Sequence, residues 1–168
     1  MRAYAPILVA ALLAGCEATV EVPQICITNR NIAVPGSPIG LQVSTPPFPV
    51  DVENEIPLLS TNASNTTLTI QSVSIIPSSG NPDLSGVTLA VLAVQPSSGS
   101  AVNVVSYQRT PTASPPPELV LTGGSVNITP YLVSGQANLT LSLSGRPPTT
   151  NWTTDVKTCL SGQSNVSP

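Results

Sequence analysis

The sequence predicts an all-β domain, a two-sheet antiparallel sandwich, and three observations point to it. After residue 16, β-branched runs with period-two alternation recur roughly every ten residues, each bounded by Gly, Pro, Asn or Ser. Helical periodicity is hard to find over the same stretch. The 19 prolines of the chain interrupt it throughout, and each proline removes a backbone donor and breaks a helix. Charged residues make up only 8% of the chain, against about 25% in ordinary soluble domains. Serine, threonine and asparagine replace them, giving a neutral polar surface over a valine- and leucine-rich interior.

The elements follow in order. Residues 19–22 and 25–28 read as strands, and Pro23 between them marks an edge or a bulge. A short strand at residues 40–43 precedes the loop Pro46-Pro47-Phe48-Pro49, and residues 51–56 read as a further strand. The clearest element is 67–76, where apolar and polar residues alternate strictly up to the last pair. Leu68 and Ile70 share a face; Val73 and Ile75 fall out of phase, and a bulge near Gln71-Ser72 reconciles the two halves. Residues 77–86 are rich in turn formers. Residues 87–94 are nearly all apolar and read as a central strand. Strands at 101–108 and 118–121 flank a proline-rich loop at 110–117, and the last three are expected at 126–133, 137–144 and 152–160. This count and spacing suit a sandwich or barrel. The expected arrangement is immunoglobulin-like with Greek-key connections, a resemblance of architecture only, because Trp152 lies beside Cys159 and not between Cys26 and Cys159.

The N-terminus carries a different signal. Met1-Arg2-Ala3-Tyr4 leads into an apolar run that ends Leu13-Ala14-Gly15-Cys16. One positive charge, about ten apolar residues and two small residues form the layout of a secretory signal. The terminal cysteine makes the segment resemble the lipobox of bacterial lipoproteins. That resemblance implies a signal helix in the precursor and cleavage between Gly15 and Cys16. It also implies a thioether-linked diacylglyceryl group and a palmitate on Cys16. The chain then divides into a signal peptide, 1–15, and a single lipid-anchored domain, 16–168. The alternatives are an ordinary secretory signal with a chance cysteine, or a retained helix, although the run is shorter than the roughly 20 residues a span requires. Two or three acyl chains hold a protein stably in its bilayer where one holds it marginally. Glu17 stands where the inner-membrane retention signal of such lipoproteins has aspartate, which favours the outer membrane.

Composition narrows the function. The net charge is −3, and cleavage would remove Arg2. With no basic cluster, neither nucleic acid nor an anionic lipid surface is expected as a partner. The chain has no histidine, which rules out a Ser-His-Asp triad, a Cys-His dyad and a histidine-based zinc site. Lys157 is the only lysine. One Phe, one Trp and three Tyr leave little for sugar platforms or base stacking. Asp83, Glu118 and Asp155 supply carboxylates for a hydrolase, but no spacing marks two of them as an acid–base pair. No enzyme and no cofactor are therefore expected.

Cys26 and Cys159 form an even pair in an exported chain, where a disulfide is expected. It would be a structural staple, because no Cys-x-x-Cys occurs; two free thiols are the alternative. Asp51, Glu53 and Glu55 alternate, so on a strand they share one face and form a weak candidate Ca²⁺ site, with Asn54 or backbone carbonyls completing the oxygen set. An exposed acidic face is more often simply solvated. The sequons at Asn62, Asn65, Asn127, Asn138 and Asn151 are expected by chance in a chain this rich in Ser and Thr. Together these readings predict an envelope-anchored lipoprotein with a structural or protein-interaction role and no catalysis. Its partners are the membrane, through the lipid, and envelope proteins, through loops 44–50, 77–86 and 109–117. The alternative is a small-ligand or carbohydrate-binding module, which would show an aromatic or acidic cluster.

Overall fold

Alternation along the chain becomes extended backbone almost wherever it occurs. The structure, a computed structural model, describes residues 18–57, 59, 65–109 and 117–166. Its strands are β1 (Ala18–Val34), β2 (Val43–Ser44), β3 (Phe48–Asp51), β4 (Thr66–Ser79), β5 (Val87–Val94), β6 (Val102–Gln108), β7 (Leu119–Thr122), β8 (Gln136–Gly145) and β9 (Trp152–Val166). A 3-10 turn covers Thr129–Tyr131. The segment read as a signal peptide and lipobox, including Gly15 and Cys16, lies outside the described residues.

The expected irregularities sit where the side-chain phase demands them. In β4, Leu68, Ile70, Val73 and Ile75 all face the core. The phase change between the two pairs is absorbed by a register shift against β9 between Ile70 and Ser72. Residues 19–28 form one strand and not two. β1 runs straight through Pro23, whose missing N–H falls at a register shift between Val22 and Ile25. A second shift follows between Asn29 and Ile32, with Asn31 in the left-handed region at φ 56°.

The strands pair antiparallel in the order β1-β9-β4-β7-β6-β5-β8-β2, and β3 also pairs with β8. The path is thinnest between β6 and β7, which share one registered pair, Ser106 with Thr122. Beyond that point the sheet curls until β3 returns to β1, where Asn29 Nδ2 donates to Pro49 O at 2.6 Å. The enclosed core takes Leu68, Ile75 and Leu121 from one half and Leu92, Leu141 and Leu143 from the other. An immunoglobulin arrangement would place the first strand beside the second in a four-stranded sheet. Here β1 lies beside β9, and the chain crosses between the halves at each long connection. The long β1–β9 ladder, stapled by a disulfide, holds this order.

Three local expectations are corrected. Residues 51–56 are not a strand beyond Asp51: the Asp51 carboxylate accepts the Asn54 N–H at 3.3 Å and also bonds the Asn54 side chain, and Ile56 N donates to Val52 O, so the chain turns. Phe48-Pro49, expected in a loop, begins β3, where Phe48 is buried and the proline sits in a short edge strand that tolerates it. Residues 126–133 bridge β4 only at Asn127 with Thr69. The Asn127 side chain then accepts the N–H groups of Leu68 and Thr129, and Pro130 starts the 3-10 turn, so local side-chain bonds replace the ladder. β9 also continues past Leu160 to Val166, because its polar end is paired on both sides, by β1 and by β4.

The two free edges are blunted against further strand pairing. β1 carries Pro23 and two bulges, while β2 and β3 are short and β3 contains Pro49. The long strands also separate two ends of the molecule. The start of β1 meets the end of β9 and the start of β4 at one end, where Ala18 pairs with Val166 and Thr66 with Ser164. At the other end Val34 pairs with Trp152, Ser79 with Thr153 and Val87 with Gly145, which gathers loops 35–42, 80–86 and 146–151.

Candidate interaction site

The second of these ends is built around Ser37. The segment Ser37-Pro38-Ile39-Gly40 has Pro at the second and Gly at the fourth position of a β-turn, where turn geometry favours them. Gly40 N donates to Ser37 O at 3.2 Å and closes the turn. Ser37 is itself buried; its N–H donates to Pro148 O at 2.9 Å, and its hydroxyl accepts the Leu41 N–H at 2.8 Å. The turn is thereby fixed to the β8–β9 loop, and it holds Ile39 and Leu41 out in solvent, 76% and 61% exposed.

Both stems of this loop line a trough of about 620 Å³, at the seam where the edges of β1 and β2 diverge. Ala33, Val34 and Pro35 form one wall, Ser44, Thr45 and Pro46 another, with Ser79 and Asn151–Thr153 closing it. None of these residues carries a charge. Trp152 is 3% exposed, and its Nε1–H finds no acceptor among the described residues. Asn151 Oδ1 accepts the Gly36 N–H at 2.9 Å, so this sequon asparagine holds the loop in place.

Gly36 is required by close approach: a Cβ there would lie 2.4 Å from Thr149 O, a backbone atom that cannot swing aside. Gly36→Ala is expected to destabilise the fold by about 1–3 kcal/mol through forced backbone shifts and to loosen the Ser37 turn. Denaturant midpoints measure the first effect, and hydrogen exchange of the Leu41 amide measures the second.

Beside the trough, Asp83 is held below its ordinary pKa of 3.8 by the Ser85 hydroxyl and then by the Ser85 N–H at 2.8 Å. A depressed carboxylate stabilises the fold above its unfolded pKa, and that contribution is lost as pH falls through the folded value. The Arg109 guanidinium donates to Ser85 O, joining the end of β6 to the same loop.

The sequence-derived sites fare differently. Cys26 and Cys159 are bonded and directly opposed on β1 and β9. Asp51, Glu53 and Glu55 do not share a strand face, because only Asp51 is in β3. Asp51 caps the following turn, and Glu53 lies against Gly135, where a Cβ would meet its carboxylate. No group of metal-ligating side chains occurs among the described residues. Of the loops read as contact regions, 44–50 and 77–86 contribute Ser44, Thr45, Pro46 and Ser79 to the trough; residues 110–116 of the third lie outside the described residues. The Ile39 and Leu41 turn was missed. The only signal for it was the Ser-Pro-Ile-Gly turn pattern with two aliphatic residues where polar ones are usual.

No family model matches the chain, and no curated protein does. Among solved structures, the chain is similar to the capsid protein of BFDV, crystallised as a decamer. The identity is 11% and the TM-score 0.36, over 89% of this chain and 99% of that one.

Proposed function

We propose that this protein is an exported, lipid-anchored two-sheet β-sandwich of the outer envelope that acts through its surface, in a structural or protein-interaction role without catalysis. The observation that carries the reading is the Cys26–Cys159 bond. Such bonds persist in oxidising, exported compartments, the destination that the Leu13-Ala14-Gly15-Cys16 segment encodes. Placement adds to it. Cys16 stands two residues ahead of Ala18, the first residue of β1, so a lipid there would pull directly on the stapled β1–β9 pair. The loop end lies at the far end of β1, a strand of 17 residues, and at about 3.3 Å per residue the two ends of that strand are roughly 50 Å apart. Held this way, the domain presents loops 35–42, 80–86 and 146–151 away from the bilayer.

The test is Cys16→Ala in the full chain. The wild-type protein is expected in the membrane fraction, extracted only by detergent, and the variant is expected in the soluble fraction after lysis. Equal retention of both in the membrane would overturn the lipid anchor.

A further inference from the structure

We propose that the Ile39–Leu41 turn and the trough beside it form a self-complementary interface through which two copies of this chain dimerise. The inference rests on the reading of the protein as a domain that acts through its surface, and names that surface and its partner. Ile39 and Leu41 stand clear of the other exposed large hydrophobics among the described residues, which lie at 36–44% exposure. They are also presented rigidly, by the three bonds made at Ser37, so little conformational entropy is lost when they are buried.

A concavity lies on the same patch. Loop 35–42 supplies the protrusion, while Val34, Pro35 and Pro46 at its two stems help wall the trough, with Trp152 below. A protrusion beside a matching hollow is the requirement for an isologous two-fold contact, in which each copy fills the other. A small ligand would fill the trough but leave Ile39 and Leu41 in water; a second copy covers both. The trough has no charged wall, so a charged peptide would enter it unpaired, at a desolvation cost. Strand addition is disfavoured at the same edge by Pro23 and the bulges of β1, so the contact is made by side chains. Four seated aliphatic side chains and two small trough linings bury well under the roughly 1,600 Å² of a standard interface, which belongs to the class of weak interfaces.

The experiment is sedimentation velocity on the full chain carrying Cys16→Ser, which keeps it unlipidated, from about 10 μM to about 1 mM. A reversible monomer–dimer equilibrium with Kd on the order of 100 μM is expected. Ile39→Ser/Leu41→Ser is expected to weaken association at least about 100-fold, with unchanged thermal unfolding because both positions are exposed. Ala33→Phe, which fills the trough from an exposed position and leaves the protrusion intact, should do the same. A wild-type surface that stays monomeric at about 1 mM, or either variant dimerising as wild type does, overturns the proposal. The Cys16→Ala fractionation is independent: a membrane-held monomer sinks only the dimer, and a dimer that is not membrane-bound sinks only the anchor.

Discussion

Cys26→Ala/Cys159→Ala is expected to lower the unfolding free energy by about 3–5 kcal/mol. The bridge closes 133 residues, and a loop of that length carries close to 5 kcal/mol of unfolded-chain entropy in the loop-closure model. Little packing is lost alongside it, because Cys26 is exposed and only Cys159, at 7% exposure, touches the core. The stapled strands are also the pair whose proximity costs most to establish, since β1 and β9 bring the two ends of the domain together. Equilibrium denaturation in urea, with no reductant, measures the loss as a lower midpoint. Reducing the wild-type protein should reproduce it, because reduction opens the same loop and leaves both side chains in place. A loss below about 1 kcal/mol would mean that the β1–β9 ladder alone constrains the chain.

The strands were readable because alternation records which face is buried, and each strand needs only its own residues to record it. β4 shows how far this reaches: even the bulge at Ile70–Ser72 was visible, as two apolar pairs out of phase. Period two says nothing about which strand lies alongside. The choice between an immunoglobulin order and the observed β1-β9-β4-β7-β6-β5-β8-β2 rests on pairings between distant segments, and these leave no local trace. The polar tail of β9, Ser161–Val166, was invisible for a related reason: its neighbours on both sides make it a strand. Where side chains bond their own backbone, as at Asp51 and Asn127, an apparently alternating run became a turn. The disulfide was legible from the even pair of cysteines, in the exported compartment that the lipobox resemblance implies. The trough was not, since residues 33–35, 44–46, 79 and 151–153 meet only once the sheet has curled.

Trp152 distinguishes volume from hydrogen bonding in the core beneath that trough. Trp152→Ala is expected to cost about 3–5 kcal/mol, as for other large aromatic truncations in cores. The side chain is almost wholly buried and stands on Gly80, where even a Cβ would come within 2.9 Å of Trp152 Cβ, so the surroundings cannot collapse far into the space. Trp152→Phe removes less volume and also removes the Nε1–H, a buried donor with no acceptor among the described residues. Leaving such a group unpaired costs about 1–3 kcal/mol, so its deletion offsets much of the lost packing. The phenylalanine variant is therefore expected within about 1 kcal/mol of wild type, and denaturation midpoints of the two variants measured side by side give the difference directly. If Trp152→Phe instead loses stability in proportion to the volume it removes, packing volume alone sets the energy at this position. A near-neutral Trp152→Phe beside a costly Trp152→Ala would instead show that the seam between β1 and β2 carries an unmet polar demand in its floor.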